Sequence, residues 1–378
     1  MILHLCNDEK FIDYAISQFK EVDDANNQFI VIISQSDYEI KHIKQIDKVK
    51  ILVDSEDNFK KVCGDLYKYD GIIFHSLFMY FYLKILHYAD PEKINLVWLF
   101  WGGEFYNHYM VRNKYIGKLT AKKNHTNFQT LKCKIKKPVK HLLKKDVCDI
   151  ENNIHKITHI VSFQEDYDII RNNWKINAKM LWYSYYSIDT TISELINEKV
   201  NSDDIFVGNS ASFTNNHLEV FKVLKRMDLY GRKIIVPLSY GNNEYALEIV
   251  KEGRKNWGDD FVPLLDFMDR NEYNKILLES GFVIMNHYRQ QAVGNIITSL
   301  WLGAKVFLSE RNPLYKFFRN KGTIIFSVEK DLAQKEGNAF EHLTDEQIDH
   351  NRKILYETWS YQSNLNNVRE ILKEISNK

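Results

Sequence analysis

A carboxylate follows a Trp-Gly-Gly turn in the run Trp98–Tyr106. The apolar start of this run predicts a strand, and Gly102 and Gly103 allow the backbone to bend sharply where the strand ends. The bend brings Glu104 to the mouth of the predicted sheet, where a carboxylate can remove a proton from a substrate hydroxyl as a general base. Alternatively, Glu104 lies in the first turn of a helix, where the helix dipole favours an acidic side chain. The residues alone leave both roles open.

A histidine ends an earlier apolar run, Gly71–His75. Histidine changes its protonation near neutral pH, so His75 at a strand end is a second candidate for proton removal. A histidine that completes an apolar run is also commonly a structural side chain. The strand-end position is what favours a functional role.

The segment Asn286–Asn295 concentrates polar side chains between a predicted strand and a predicted helix. Arg289 can bind a diphosphate through two hydrogen bonds, and Gln290 and Gln291 can hydrogen-bond to sugar hydroxyls or to an amide. Gly294 would allow the helix to approach a neighbouring group closely. Packing alone does not account for this set, so the segment predicts a binding site for a phosphorylated ligand.

A further strand-to-helix junction lies at Val207–Ser210. Asn209 and Ser210 precede a helix N-terminus, where free backbone N–H groups and the helix dipole attract a phosphate. The stretch matches neither the P-loop nor the dinucleotide-binding glycine pattern. Capping of the following helix by Asn215 is the alternative interpretation.

Alternating strand and helix patterns place all these residues at strand ends. A chain of 378 residues exceeds the usual size of one hydrophobic core. We therefore predict an α/β protein of two Rossmann-like, doubly wound domains that face a cleft, with the C-terminal helix packed back on the first domain. The predicted limits are 1–200 for the first domain, 201–345 for the second and 346–378 for the C-terminal helix.

The strands of the two sheets can be assigned individually. In the first domain we predict Ile2–Cys6, Phe29–Ser34, Lys50–Asp54, Gly71–His75, Leu96–Trp101, His159–Phe163 and Lys179–Tyr183. In the second we predict Ile205–Gly208, Lys233–Leu238, Phe261–Leu265, Phe282–Asn286, Lys305–Leu308 and Thr323–Phe326.

Basic residues are concentrated between Arg112 and Lys145. Twelve of the 51 Lys and Arg residues fall in this segment, which contains no Asp or Glu, and the rest of the chain carries 39 basic against 50 acidic residues. Such a block predicts attraction to an anionic surface, either acidic phospholipid or nucleic acid. We predict a basic helical insertion, 112–145, in the first domain; a solvated surface without a partner is the alternative.

Metal and nicotinamide sites are not expected. Asp166 and Asp168 form an acid-x-acid pattern, but their surroundings are typical of the acidic first turn of a helix. The four cysteines lack metal-finger and CxxC spacing, which is typical of a reduced cytoplasmic chain. Ile2–Asp8, where a dinucleotide-binding domain would carry its glycines, contains none. The apolar stretch Gly71–Tyr88 is interrupted by Lys84 and two histidines and predicts a strand and a helix, not a membrane span.

Nine short stretches occur in a characteristic order and spacing: Phe74-His75, Trp101–Tyr106, Val207–Ser210, Asn215–His217, Val236–Tyr240, Asn242-Asn243, Arg289–Gln291, Gly294 and Arg311–Pro313. Through them the chain resembles the TDP-N-acetylfucosamine:lipid II N-acetylfucosaminyltransferases, also described as 4-alpha-L-fucosyltransferases. The resemblance spans much of the chain, is best after Ile205 and is weakest in the basic segment.

The resemblance implies a GT-B glycosyltransferase that moves a deoxy- or amino-sugar, such as 4-acetamido-4,6-dideoxygalactose or fucose, from a nucleoside diphosphate, dTDP by preference. The implied acceptor is a polyprenyl-diphosphate-linked glycan of bacterial surface polysaccharide synthesis, similar to that of enterobacterial common antigen. The enzyme would be cytoplasmic and peripheral on the inner face of the inner membrane. Transfer would be inverting and independent of metal or other cofactors, with no nucleic-acid partner.

Three sets of residues receive roles on this basis. The predicted catalytic base is Glu104, with His75 as the alternative. The predicted donor-binding residues are Asn209, Ser210, Tyr240, Arg289, Gln290, Gln291, Gly294 and Asn295. The predicted membrane or acceptor contacts are Lys122, Lys123, Lys134, Lys136, Lys137, Lys140, Lys144 and Lys145. Two other functions stay open: a nucleic-acid-binding protein that uses the basic segment, and a sugar-nucleotide-binding protein without catalysis.

Overall fold

The computed structural model describes residues 1–124, 148–334 and 339–376. Contacts divide the chain into two compact units. The first holds Met1–Phe105, the residues from the first gap to Ser187, and the chain from Trp359 onward. The second holds the residues from Tyr106 to the first gap and Ile188–Thr358.

The strands and helices alternate along the described residues as the sequence pattern predicts. The strands are β1 (Ile2–Cys6), β2 (Asn27–Ile33), β3 (Val49–Val53), β4 (Gly71–Phe74), β5 (Asn95–Leu99), β6 (His159–Val161), β7 (Lys179–Leu181), β8 (Ile205–Val207), β9 (Ile234–Pro237), β10 (Phe261–Leu264), β11 (Phe282–Met285), β12 (Lys305–Leu308) and β13 (Phe326–Ser327). The helices are α1 (Ile12–Asp23), α2 (Glu56–Gly64), α3 (Tyr80–Tyr88), α4 (Gly103–Tyr106), α5 (Lys118–Lys123), α6 (Ile150–Asn153), α7 (Gln164–Trp174), α8 (Ile188–Thr191), α9 (His217–Leu224), α10 (Asn243–Trp257), α11 (Arg270–Leu278), α12 (Val293–Trp301), α13 (Pro313–Asn320), α14 (Asp345–Trp359) and α15 (Tyr361–Ile375).

The first unit is built on a parallel sheet of seven strands in the order β3-β2-β1-β4-β5-β6-β7. Strand β1 pairs with β2 on one side and with β4 on the other, so Leu5 lies beside both Ile30 and Phe74. The strand order reverses between β1 and β4. In doubly wound sheets, ligands bind at the carboxyl ends of the strands beside such a reversal.

Helix α15 returns to the first unit, as predicted. Val368, Ile371 and Ile375 join the buried cluster that also contains Ile12 and Phe19 of α1. Each of these fully buried apolar side chains contributes about 1.5–3 kcal/mol relative to an exposed one. The C-terminal helix is therefore an integral part of the first hydrophobic core.

The predicted C-terminal segment 346–378 is, however, two helices and not one. Ser360 separates α14 from α15, and its hydroxyl caps α15 by accepting the backbone N–H of Ser363. Of the two, α14 belongs to the second unit up to Thr358. A serine cap gives α15 its own start, so the two helices can take different directions.

The second unit is built on a parallel sheet of six strands in the order β10-β9-β8-β11-β12-β13. Here the strand order reverses between β8 and β11. Strand β13 starts later than the predicted Thr323–Phe326, because the backbone of Ile324 is hydrogen-bonded to the side chain of Asn351 on α14. The Ile324 N–H donates to Asn351 Oδ1 (2.8 Å) and the Ile324 carbonyl accepts from Asn351 Nδ2 (3.1 Å).

The division into units also differs from the predicted domain limits. The second unit begins at Ile188, before the predicted limit at 200, and it includes the described start of the basic segment. The reason for the second difference is local hydrogen bonding: the Gly117 N–H donates to Asn216, and the Leu119 N–H donates to Glu219 on α9. The rest of the basic insertion, from residue 125, lies outside the described residues.

None of the helices in the described ranges is long and apolar enough to cross a membrane.

Candidate active site

Glu104 lies in the first turn of α4, in the segment that follows the end of β5 at Leu99. Gly102 has a φ of +93°, which provides the predicted bend. Three N–H groups converge on Glu104 Oε1: the indole of Trp98 at 3.2 Å, and the backbone amides of Leu77 and Trp101 at 3.4 Å each. The other carboxyl oxygen, Oε2, is buried and has no hydrogen-bond partner among the described residues.

Burial controls the charge of this carboxyl group. It raises the pKa of Glu104 to about 7, and the three donors to Oε1 only partly offset the loss of hydration. A carboxyl group with a pKa near neutrality can hold and release a proton at physiological pH. The helix-terminal position and the general-base role, which the sequence leaves as alternatives, are therefore compatible in one residue.

The imidazole of His75 has both ring nitrogens engaged inside the first unit. Its Nε2 lies 3.0 Å from His4 Nδ1, and its Nδ1 lies 3.0 Å from the hydroxyl oxygen of Tyr185. Burial lowers the pKa of His75 well below its usual range, and the neighbouring His4 adds to this effect. His75 follows a strand end, as predicted, but it is a fully buried neutral side chain with no free nitrogen.

In the second unit, Asn215 connects the loops after β8 and β11. Its Oδ1 accepts from the backbone N–H of Asn209 and from His287 Nε2, at 2.8 Å each. Its Nδ2 donates to Ser210 Oγ (3.1 Å) and to the carbonyl of Ser212 (3.2 Å). The alternative role of Asn215 as a helix cap is thus wrong, because its side chain is used entirely by the two loops.

A second set of side-chain contacts joins the same loops closer to the surface. Gln291 Nε2 donates to Asn209 Oδ1 (2.8 Å), and Asn209 Nδ2 donates to the hydroxyl of Tyr240 (2.7 Å). Thr214 Oγ1 donates to Gln291 Oε1 (2.7 Å). The structure therefore brings four predicted donor-binding residues into one network at the strand reversal: Asn209, Ser210, Tyr240 and Gln291.

The N-terminus of α12 is open beside this network. A Cβ atom added to Gly294 in the first turn would have no atom within 4 Å, so close packing against the protein is not the reason for this glycine, contrary to our expectation. The guanidinium group of Arg289, in the preceding loop, lies 5.7 Å from the centre of the Tyr106 ring. An arginine and the free amides of a first helical turn are groups that bind phosphate.

Two other predicted donor-binding residues have different surroundings. Asn295 turns to α11, where its Nδ2 donates to the hydroxyl of Tyr273 (2.8 Å). Gln290 is half-buried and makes no hydrogen bond within the described part of the chain. Tyr240 presents much of its ring to solvent, with 56% of its surface exposed.

Only the first two of the predicted membrane-contacting lysines can be located. Lys122 is exposed, and Lys123 forms an ion pair with Glu248 on α10. Lys134, Lys136, Lys137, Lys140, Lys144 and Lys145 lie outside the described residues.

Asp166 and Asp168 lie in α7, in agreement with the predicted acidic start of a helix. Within the described ranges, no three His, Cys, Asp or Glu side chains are grouped so that they could hold a metal ion.

The sequence analysis assigned no role to two residues that organise these sites, Asn216 and Tyr185. Asn216, in the left-handed conformation, accepts the Gly117 N–H and donates to the carbonyl of Asn286 (2.9 Å). Tyr185 contacts His75 and Trp101 through its hydroxyl. A position after a strand end is the signal that both share with the predicted residues, since Tyr185 follows β7 and Asn216 follows β8.

Comparison with known proteins supports a common fold and a family. A glycosyltransferase from Rickettsia africae ESF-5 is 12% identical, with a TM-score of 0.59 over 100% of this chain and 98% of that chain. HepE from Anabaena, solved in complex with UDP and glucose, is 11% identical, with a TM-score of 0.61 over 100% and 99% of the two chains. A sucrose-phosphate synthase from Thermosynechococcus elongatus is 8% identical, with a TM-score of 0.59 over 99% and 98%. At these identities the likeness is one of fold, and it shows the predicted α/β GT-B fold.

The family model of the 4-alpha-L-fucosyltransferases, glycosyl transferase group 56, matches residues 152–370. The matched region includes the loops of Asn209 and Arg289 and ends within α15. Because the match covers more than half of the sequence, this chain belongs to the 4-alpha-L-fucosyltransferase family and is a glycosyltransferase.

Proposed function

We propose that this enzyme transfers a deoxy- or amino-sugar from a nucleoside diphosphate, dTDP by preference, to a polyprenyl-diphosphate-linked glycan in bacterial surface polysaccharide synthesis. The observation that carries the proposal is the network of Asn209, Asn215 and Gln291 at the strand reversal of the second unit. This network joins the loop after β8 to the loop after β11, and the loop after β11 carries Arg289 and leads to the first turn of α12. A donor site needs a fixed arrangement of phosphate-binding groups, and these contacts hold the loop that carries Arg289.

The diphosphate of the donor would bind at Arg289 and the first turn of α12. Arginine offers a planar pair of donors for phosphate oxygens, and the helix dipole favours negative charge at this end. Gly294 leaves room for the ligand, since nothing in the protein occupies the space that a side chain would take. The complexes of HepE with UDP and with UDP-glucose support a nucleoside diphosphate sugar as the class of donor.

The remaining polar groups suit a sugar and a nucleoside. Gln290, which makes no hydrogen bond within the described residues, can bind a hydroxyl or an acetamido group of the transferred sugar. The exposed ring of Tyr240 can pack against the nucleoside. The family description favours fucose or a related sugar such as 4-acetamido-4,6-dideoxygalactose.

The proposed reaction is a direct displacement with inversion. The acceptor hydroxyl attacks the anomeric carbon and gives its proton to the Glu104 carboxylate. The bond from the anomeric carbon to the phosphate oxygen breaks, and its electron pair leaves with the nucleoside diphosphate. Arg289 and the amides of α12 stabilise the charge on the departing phosphate, where negative charge develops in the transition state. The proposal includes no metal ion, and His75 serves to hold its loop.

The acceptor side of the proposal depends on the basic segment. Each Lys or Arg near an anionic membrane contributes about 1 kcal/mol of attraction, so several lysines would suffice for peripheral binding at the inner face of the inner membrane. The start of the segment is attached to the second unit through Glu219, which accepts from the Leu119 N–H (2.7 Å) and from Thr120 Oγ1 (2.6 Å). This attachment would keep bound lipid headgroups near the enzyme.

Calorimetric titration with dTDP, UDP, GDP and their sugars tests the donor assignment. We expect selective binding of dTDP-sugars, and about 10- to 100-fold weaker binding in Arg289→Ala through loss of charge-assisted hydrogen bonds. Arg254→Ala, which removes an exposed arginine from α10, is the matched control and should bind normally. Absence of binding to any nucleotide at millimolar concentration would reject the donor site. Salt-sensitive binding to duplex DNA in that case would favour a nucleic-acid-binding function.

A further inference from the structure

A buried chain of hydrogen bonds joins five side chains inside the first unit. Asn27 Oδ1 lies 2.9 Å from His4 Nε2, and His4 Nδ1 lies 3.0 Å from His75 Nε2. The chain continues from His75 Nδ1 to the Tyr185 hydroxyl oxygen at 3.0 Å, and from there to Trp101 Nε1 at 2.9 Å.

The direction of each bond follows from the two ends of the chain. Asn27 Nδ2 donates to the carbonyls of Phe19 and Asp23, so Asn27 Oδ1 faces His4 as an acceptor. His4 therefore carries its proton on Nε2 and accepts at Nδ1 from His75 Nε2–H.

At the other end, the Trp101 indole can only donate, so the Tyr185 oxygen accepts from it. The Tyr185 O–H then donates to His75 Nδ1. Every donor has one acceptor when both imidazoles are neutral, and burial lowers the pKa of both histidines. All the hydrogen bonds in this series are thus satisfied, and each donates in the direction from Trp101 toward Asn27.

Tyr185 is the link between two strand-end loops. His75 belongs to the loop after β4, and Trp101 belongs to the loop after β5. The backbone amides that converge on Glu104 Oε1 come from the same two loops, at Leu77 and Trp101. Both of these contacts are 3.4 Å long, near the limit at which a hydrogen bond still contributes. A small outward movement of either loop would therefore remove them.

We propose that Tyr185 is a positioning residue for Glu104: its hydroxyl ties the His75 and Trp101 side chains together and so keeps two backbone N–H groups directed at Oε1. The inference rests on the proposed function of Glu104 as the base. Tyr185 itself is well anchored, because Gln18 Nε2 donates to its carbonyl (2.9 Å) and the rings of Phe11 and Tyr183 pack against it.

The test compares Tyr185→Phe with Tyr183→Phe. The Tyr183 hydroxyl is also buried, but it has no hydrogen-bond partner within the described residues, so its removal is the matched control. The main measurement is the titration of the Glu104 carboxyl by carbon NMR, assigned through its absence in Glu104→Gln. Loss of donors to the carboxylate should move this titration to higher pH in Tyr185→Phe and leave it unchanged in Tyr183→Phe.

The transfer reaction supplies the second measurement. Tyr185→Phe should lower kcat by about 10- to 100-fold, with KM for the donor unchanged and the acidic limb of the pH profile moved to higher pH. Trp101→Phe, which removes the indole donor, should act in the same direction. The proposal would be overturned if the Glu104 titration stayed unmoved in both Tyr185→Phe and Trp101→Phe. It would also be overturned if Tyr183→Phe shifted the titration as far as Tyr185→Phe. The NMR titration needs no substrate, so it remains decisive even if Glu104→Gln proves active and the proposed base is wrong.

Discussion

Gln291 Nε2 donates to Asn209 Oδ1 across 2.8 Å, and this amide pair joins the loop after β11 to the loop after β8. The two strands are neighbours in the sheet but lie far apart in the sequence. Deeper in the unit, Asn215 makes the same connection through the Asn209 N–H and His287. The two layers of contacts join the loops after β8 and β11 into one network of side chains.

The amide pair should be energetically coupled. In a double-mutant cycle of Asn209→Ala and Gln291→Ala, we expect the losses in unfolding free energy to be non-additive by about 0.5–3 kcal/mol, the range for residues in one hydrogen-bond network. Chemical denaturation of the four proteins measures this coupling. Asn209→Ala combined with Asn295→Ala is the control, since Asn295 bonds to Tyr273 outside the network. If the losses in unfolding free energy were additive for Asn209→Ala and Gln291→Ala, the amide contact would contribute nothing to stability.

Gly208 and Gly294 should respond in opposite ways to substitution by alanine. Gly208 has a φ of +73°, and a Cβ there would lie 2.7 Å from Asn215 Oδ1. Gly208→Ala should therefore cost at least about 2 kcal/mol of unfolding free energy.

Gly294→Ala should retain or gain stability, by up to about 1 kcal/mol, because the site is open and alanine favours helix. The same variant should bind the nucleotide donor more weakly, since the methyl group occupies the proposed phosphate position. Thermal unfolding with and without nucleotide separates the two effects, and unchanged donor affinity in Gly294→Ala would exclude phosphate from this turn.

The raised pKa of Glu104, about 7, should be visible in catalysis. A general base acts when deprotonated, so kcat/KM should fall as the pH decreases below about 7. Glu104→Gln should lose transfer at every pH and keep donor binding. A pH profile that is flat between about 5.5 and 8.5, together with an active Glu104→Gln variant, would contradict this role.

Ionisation of the same carboxyl group should lower the free energy of unfolding as the pH rises, whereas it should raise kcat/KM. The folded-state pKa lies above the ordinary value of 4.5, so the folded protein holds the proton more tightly than the unfolded chain. Stability should fall as the pH rises from about 4.5 to about 7 and then stay constant, with a total loss of about 3 kcal/mol. Denaturation of wild type and Glu104→Gln at several pH values checks this, because the variant should lack the loss.

Glu219 should control the attachment of the basic segment. Glu219→Ala leaves the Leu119 and Thr120 amides and the buried Thr120 hydroxyl without their acceptor. We expect faster tryptic cleavage at Lys118 and Lys122 and faster hydrogen exchange at the two amides. Glu248→Ala, which removes only the exposed ion pair with Lys123, should behave like wild type. Equal protection in both variants would show that Glu219 does not hold the segment.

Much of the fold could be read from the sequence because its signals are local. Strand β1 and strand β12 have the predicted limits, and the other strands agree to within a few residues. In a parallel sheet, strands and helices alternate along the chain, and each has its own hydrophobic period. The strand-end residues Glu104, Asn209 and Gln291 could be found for the same reason. The late start of β13 could not be predicted, since it depends on Asn351 of α14, whose side chain accepts the Ile324 N–H.

The sequence by itself determined which polar residues stand at strand ends, because the period of the apolar pattern fixes where each strand stops. Only the tertiary structure decided what those residues do. His75 meets Tyr185 across 110 positions, and His287 meets Asn215 across 72, so neither pairing leaves a local signal. These contacts make His75 a neutral link and Asn215 a loop connector. The burial of Glu104, which raises its pKa, likewise depends on tertiary packing, in which a neighbouring strand-end loop contributes the Leu77 N–H.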